Sequence, residues 1–381
     1  MTIAPLRLLC AFSLAASLTL PAIGQGTPSE SQRTGYLRSL AALQPIDAHA
    51  HVQKSDVAFT AMLEHWNLHL IDILVVDDKE PSGVSLEKQR AAALAFIQSA
   101  HGHASLCTTF DPYRFSQPDF VQTAIDGLNR DFANGAIAVK VWKNIGMELK
   151  DSSGHYVTVD NPRFDPIFRD IEAHNKTVIA HQAEPDVAWG PPDPKALDAS
   201  YYAKHPEWNM AKVPDALPKK TILEARDHLL AEHPHLRVVG AHLGSMEADV
   251  DQVAATLDRY PNFAIDTGAR VAHLAIQPSP KVRAFLIKYQ DRVLYGTDIE
   301  FMGKQTGKDA VEEWETRLAL DWRYFATADT FDYRGHTVHG LNLPPTVLKK
   351  IYHSNAVYWL DRKSTRLNSS HSSPSRMPSS A

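Results

Sequence analysis

This sequence predicts a protein of the α/β class, a (β/α)8 TIM barrel with extended loops on its C-terminal face. Three observations predict it. Between Pro45 and Asp361, eight apolar, β-type runs alternate with segments of helical period, which is the pattern of a parallel sheet. Histidines and an aspartate stand at the C-terminal ends of several of these runs, where such barrels gather their chemistry. The first run reads Ile-Asp-Ala-His-Ala-His and leads into no Gly-rich turn, as an open doubly wound sheet built for a nucleotide would.

The chain begins with a segment outside the barrel. Arg7 precedes the apolar run Leu8–Leu20, and Pro21 and Ala22-Ile23-Gly24 then supply a helix break and small residues. Thirteen apolar residues are too few for a membrane span, so residues 1–24 read as a secretory signal peptide. The implied location is secreted or periplasmic, with no membrane association after cleavage. Loss of Cys10 with the signal leaves Cys107 alone, so the mature chain has no internal disulfide. Residues 25–44 form a polar leader with a short amphipathic segment over Tyr36–Leu43.

The predicted strands are Ile46–Val52, Leu70–Val76, Ala104–Phe110, Ala136–Trp142, Thr177–Ala183, Arg237–Leu243, Phe263–Thr267 and Arg292–Thr297. Helices fill the gaps, among them Val57–Asn67, Ser85–His101, Asp119–Phe132, Glu312–Phe325 and Pro345–Tyr352. The barrel thus occupies residues 45–362. Residues 363–381 carry eight serines, no acidic residue and no apolar periodicity, and read as a disordered, non-native tail.

Composition narrows the partners. A formal net charge of −5 with no basic block argues against nucleic acid, which leaves a small-molecule substrate. Three connections exceed what a barrel needs: Lys143–Pro162, the proline-rich Pro185–Pro218 with Trp189, Tyr201, Tyr202 and Trp208, and Phe301–Pro344. All follow strands, so they crowd the C-terminal face as pocket walls. The alternative is that they form the contacts of a homodimer.

In the first strand His49 and His51 are separated by one residue and so share a face, as does Asp47. The fifth strand ends at His181, the sixth at His242 and the eighth at Asp298. Gly240 and Gly296, each two residues earlier, leave room near the axis. Clustered imidazoles and a buried carboxylate need compensation, and a cation is the simplest.

His-x-His on the first strand, His on the fifth, His on the sixth and Asp on the eighth resemble the amidohydrolase superfamily. Ile-Asp-Ala-His-Ala-His, Gly-Ala-His-Leu-Gly, Leu-Tyr-Gly-Thr-Asp and Lys-Ile-Tyr-His-Ser-Asn-Ala are similar to its amidohydrolase-related branch, which includes hydrolases, lactonases and decarboxylases of the aminocarboxymuconate-semialdehyde type. The resemblance implies that His49, His51, His181 and Asp298 hold one divalent ion, expected to be zinc, with a position left open. It implies catalytic roles for Asp298 as proton acceptor and for His242 as the group that orients water or shuttles a proton. Lys140 shares an inward face with Ala138 and is expected to contact substrate, or, in a minority role, to bridge two metals. Arg270 either clamps a substrate carboxylate or pairs with Asp266. Glu184 orients His181 or lines the pocket, Trp142 is pocket wall or core, and Asp47 supports the paired histidines. Hydrolysis of an ester, lactone or amide is the expected reaction; non-oxidative decarboxylation of an aromatic or unsaturated acid is the alternative with the same ligands.

Overall fold

The β-branched and small residues of each apolar run pair side by side as parallel strands. A computed structural model describes residues 28–77 and 86–360. The expected signal peptide, the tail and Ser85 at the start of its helix lie outside these residues. The strands are β1 (Ile46–Val52), β2 (His69–Ile73), β3 (Ala104–Thr108), β4 (Ala138–Val141), β5 (Thr177–Ala180), β6 (Arg237–Gly240), β7 (Phe263–Asp266), β8 (Val293–Leu294) and β9 (Ile299–Phe301). They form one sheet in the order β8-β7-β6-β5-β4-β3-β2-β1-β9.

β8 and β9 are two halves of one stave. β8 pairs with β7, and β9 pairs with β1. The turn between them is bonded to β1 as well, with Ala48 N–H donating to the Tyr295 carbonyl at 2.9 Å and Asp298 N–H to the His49 carbonyl at 2.7 Å. The sheet closes on itself, and the eight-stave barrel that the alternation predicted is the fold.

Two layers of core hold it. Ala48, Ile71, Cys107, Ala138, Ile179 and Val239 fill the lower interior, plugged by Trp359 and Leu360 of the last described helix. The outer faces of the strands carry Val139, Val178, Val238 and Ile265 against the surrounding helices. The expected helices form at Val57–His65, Leu86–Ser99, Phe120–Ala133 and Pro345–Lys349. A longer one covers Gly307–Ala326, opened by a reciprocal cap between Thr306 and Asp309. The leader is helical over Glu30–Ala41. Among the described residues no helix is long and apolar enough to cross a membrane.

The strands are shorter than their apolar runs. β5 stops at Ala180 rather than Ala183, β6 at Gly240 rather than Leu243, and the eighth stave breaks before Thr297. The reason is local: Ala183, His242, Leu243 and Asp298 adopt left-handed backbone, with φ of 70°, 59°, 60° and 61°. Such conformations cost non-glycine residues of order 1–3 kcal/mol and persist where the surroundings impose them. Here they cluster at one end of the barrel.

A bulge in β1 has a further effect. Asp47 faces Leu70 and Ala50 faces Asp72, so β1 advances three residues where β2 advances two. The extra residue reverses the alternation. Ala48 therefore lies inside the barrel, and after the bulge His49 and His51 do. Asp47 does not share their face: it points outward, accepting hydrogen bonds from Thr297 Oγ1 at 2.6 Å and from Trp314 Nε1 at 3.3 Å.

Candidate active site

His49 is fully buried, and its two ring nitrogens have different tasks. Nδ1 lies 2.8 Å from Asp266 Oδ2, while Nε2 lies 3.3 Å from Asp298 Oδ1. His51 repeats the scheme, with Nδ1 2.8 Å from the Ile73 carbonyl and Nε2 3.3 Å from the same Asp298 oxygen. A carbonyl can only accept, so His51 Nδ1 carries the proton and Nε2 presents a lone pair. Asp266 fixes the same tautomer in His49. The ligand-type atoms of His49, His51 and Asp298 all lie within 4.8 Å of one another.

His181, brought to the mouth by the end of β5, lines the same cavity but lies outside this trio of converging atoms. Its ring packs edge-on against His242, with centroids 4.2 Å apart, and its Nε2 is buried without a hydrogen-bond partner. Burial, reinforced by the neighbouring His242, Lys143 and Lys140, holds His181 well below the ordinary histidine range. A neutral imidazole with an unused buried nitrogen is an expensive arrangement without a ligand. The donor set of three imidazoles and a carboxylate therefore fits a divalent ion, although Lys140 Nζ stands 3.1 Å from His49 Nε2 and shares that mouth.

His242 reaches the mouth by a route the sequence conceals. Val239 and Ala241 line the interior, whereas a Cβ on Gly240 would meet the Phe263 ring at 2.4 Å. Gly240 thus faces outward, not toward the axis as expected, and regular alternation would send His242 out with it. The left-handed turn at His242 rotates the side chain back. Its N–H donates to Asp266 Oδ1 at 2.9 Å and its Nδ1 faces the Gly268 carbonyl at 2.9 Å. Burial pushes the imidazole down to about 3. Gly296 does face the axis, and the space it leaves is taken by His49: a Cβ there would lie 2.9 Å from His49 Cβ.

Charge in the mouth is balanced by neighbours. Burial pushes the Asp298 carboxyl up, but His242, His49 and His51 outweigh it and hold the group well below the usual range. Burial likewise opposes Asp266, which His49 brings down to about 2. Lys140 is buried, and burial pulls its ammonium below the ordinary lysine value against Asp266 and Asp298.

The remaining wall is aromatic and cationic. Trp142, Lys143, Glu184, Tyr201 and Arg270 line one cavity of about 220 Å³ with the histidines and Lys140. Glu184 does not orient His181: it is ion-paired with Lys143 and accepts from Tyr202 OH at 3.0 Å. Arg270 does not pair with Asp266, which is occupied by His49. Its Nη1 lies 3.5 Å from Asp198, which also takes His273 Nε2 at 3.0 Å. Trp142 packs on Trp208 at 5.2 Å, with Lys143 Nζ over the Trp208 ring at 4.2 Å.

The sequence reading missed Asp266 as the support of His49, though it ends the run Phe-Ala-Ile-Asp much as Asp298 ends its own. Lys143, Asp198 and His273 carry no local signal, because segments beyond the strand ends, a short helix over Val271–Ala275 among them, bring them in.

A sequence model described as amidohydrolase matches residues 46–362. No curated protein matches the chain. Among solved structures, 2,6-dihydroxybenzoate decarboxylase from Rhizobium is 14% identical over 83% of this chain and 99% of that one, with a TM-score of 0.45. Dihydroorotase from Campylobacter jejuni is 13% identical over 83% of this chain and 82% of that one, with a TM-score of 0.47. 4-Oxalomesaconate hydratase from Rhodopseudomonas palustris is 13% identical over 86% and 98%, with a TM-score of 0.48.

Proposed function

Because this chain belongs to the amidohydrolase family, a family of metal-dependent enzymes, we propose that it hydrolyses an ester, lactone or amide bond in a small, carboxylate-bearing molecule. The observation that carries the reading is the convergence of His49 and His51 Nε2 on Asp298, with the unpartnered nitrogen of His181 beside them. These four residues would hold one divalent ion, and three imidazoles with a carboxylate favour zinc. When bound, the ion supplies Lewis acidity toward a water and a carbonyl oxygen at neutral pH.

The chain's own groups do the rest. Asp298, a carboxylate held ionised at the mouth, would accept a proton from the attacking water. His242, its Nδ1 proton held on the Gly268 carbonyl and its backbone on Asp266, presents a bare Nε2 that relays the proton taken up by Asp298 to the departing nitrogen or oxygen. Arg270, whose Nη1 lies 3.5 Å from Asp198 and whose Nε is buried without a hydrogen-bond partner, draws the substrate carboxylate, and Trp142 and Tyr201 close the wall. Residues 1–24 add export to the proposal, with the protein free of the membrane once they are removed.

A second reading draws on the same mouth. Lys140, Lys143 and Arg270 would also attract the carboxylate of an aromatic acid, whose loss as carbon dioxide needs a proton delivered to carbon, a role open to His242 once its Nε2 has taken one up from solvent.

Metal analysis and product identification test both. Purified mature protein should carry about one divalent ion per chain. His49→Ala and Asp298→Ala should lose ion and turnover together. His242→Ala should keep the ion while kcat falls by roughly 10²–10⁴. Two ions per chain would make Lys140 a bridging ligand, and carbon dioxide from hydroxybenzoates with no acid from esters or amides would favour the lyase.

A further inference from the structure

The cavity over the histidines is not the whole cleft. A second cavity, of about 410 Å³, adjoins it and shares Asp198, Ala269, Asp298, Glu300 and Met302 as common wall. Asp298 therefore stands at the partition, with the other expected metal ligands on its inner side. The two chambers differ in chemistry. Trp142 and Tyr201 wall the inner one, whereas Arg317, Arg334, Gln305 and Glu313 line the outer one.

Arg317 projects from the helix Gly307–Ala326, which packs beside the barrel. The buried carboxylate of Asp321 supplies the largest attraction on the Arg317 charge but accepts its hydrogen bonds from the hydroxyls of Tyr295 and Tyr333. Glu313, in the same wall, accepts from Gln305 Nε2 at 2.9 Å. Neither Arg317 nor Arg334 has a hydrogen-bonded or ion-paired acceptor among the described residues.

Arg334 arrives by an unusual turn. The hairpin of β10 (Thr330–Tyr333) and β11 (His336–His339) closes between Tyr333 and His336, leaving Arg334 and Gly335 as a two-residue loop. Their φ values are 53° and 86°, the both-positive geometry that favours Asn-Gly or Asp-Gly. Arginine at the first position costs backbone strain that asparagine would largely avoid.

We propose that the outer chamber is a subsite for a second anionic group, carried by the part of the substrate that leaves, in addition to the carboxylate that Arg270 meets in the inner chamber. This deepens the hydrolytic reading and rests on it. The substrate class is a two-part amide or ester: an acyl half in the inner chamber, and an amine or alcohol half bearing a carboxylate or phosphate in the outer. In the reaction the water oxygen bonds to the acyl carbon, and the acyl carbon's bond to nitrogen or oxygen breaks. One water proton ends on the leaving atom and the other is released with the new carboxylic acid.

The test compares N-benzoylglycine with N-benzoylglycinamide, which differ only in the charge of the leaving half. Binding is read by calorimetry on the metal-loaded full chain and turnover by benzoate release, in wild type, Arg334→Met, Arg317→Met and Arg317→Lys. The anionic compound should bind roughly ten- to a hundredfold more tightly than the neutral one. Arg317→Met and Arg334→Met should each erase most of that preference without weakening the neutral compound, and Arg317→Lys should restore part of it. Arg334 lies on an exposed turn, so its variant keeps the test open if Arg317→Met does not fold. Equal affinity for the pair, binding of neither, or a preference untouched by both methionine variants overturns the subsite. If the arginine-dependent preference is present but no benzoate is released, the subsite stands as an anion site and the hydrolytic reading is what fails.

Discussion

The burial of His49 makes it answerable to several neighbours at once. Asp266 takes one nitrogen, Asp298 and Lys140 face the other, and the bare backbone of Gly296 supports its Cβ. Gly296→Ala should therefore act as a site mutation as much as a packing one. Its methyl would overlap His49 and cost about 1–3 kcal/mol, and moving the imidazole should weaken metal affinity by roughly tenfold or more. Denaturant melts and metal titration read the two effects; a stable variant with normal affinity would mean that His49 has slack. The sequence made the paired histidines visible because their spacing is itself the signal. It hid the orientation of Asp47, because a bulge leaves no mark in residue types, and it hid the inward turn of His242, because left-handed backbone at a histidine has no propensity signature.

Loops after the strands are where the sequence was least legible. The segment 185–218 was read as pocket wall from its aromatics, and its inner end does supply Tyr201. What holds it down could not be read, since the anchors come from distant elements. At its root Asp186 meets Lys219 at 2.5 Å, and over the mouth Asp198 meets His273 and Arg270. Burial opposes the Asp198 carboxylate, but His273 and Arg270 prevail and bring it down to about 2, against an ordinary value of 3.8. A carboxyl with a lowered folded value contributes fully above the unfolded value and loses that contribution as pH falls through the folded one. The latch is worth about 2 kcal/mol at neutral pH and disappears between roughly pH 4 and pH 2. Fluorescence of Trp189 and Trp208 or protease nicking of this loop should follow that window. Asp198→Asn should flatten the window and loosen the loop at neutral pH; unchanged nicking would show that Lys219 and the prolines suffice.

For the whole molecule, alternation of apolar runs and helical segments was enough to give the barrel, because each strand–helix pair carries its own period. The ends of the strands were overrun, because apolar residues continue past the last ladder bond into the mouth. Closure was the least local feature: the sequence marks one strand, Arg292–Thr297, where the structure has β8 and, beyond Asp298, the separate β9 that pairs with β1. If that junction serves both seam and site, ion loading should stiffen the entire barrel. With free ion at about 100 times Kd the gain is roughly 2.7 kcal/mol, visible as a higher Tm and slower exchange of the Ala48 and Asp298 amides. A raised Tm without added protection at those amides would place the ion elsewhere. The arrangement also sets a timetable. The histidines of β1 are synthesised early and their carboxylate partner arrives almost last, so an incomplete or still-threading chain holds imidazoles with nothing to converge on. Chemical competence waits for the final stave, and until it is in place the chain stays inert.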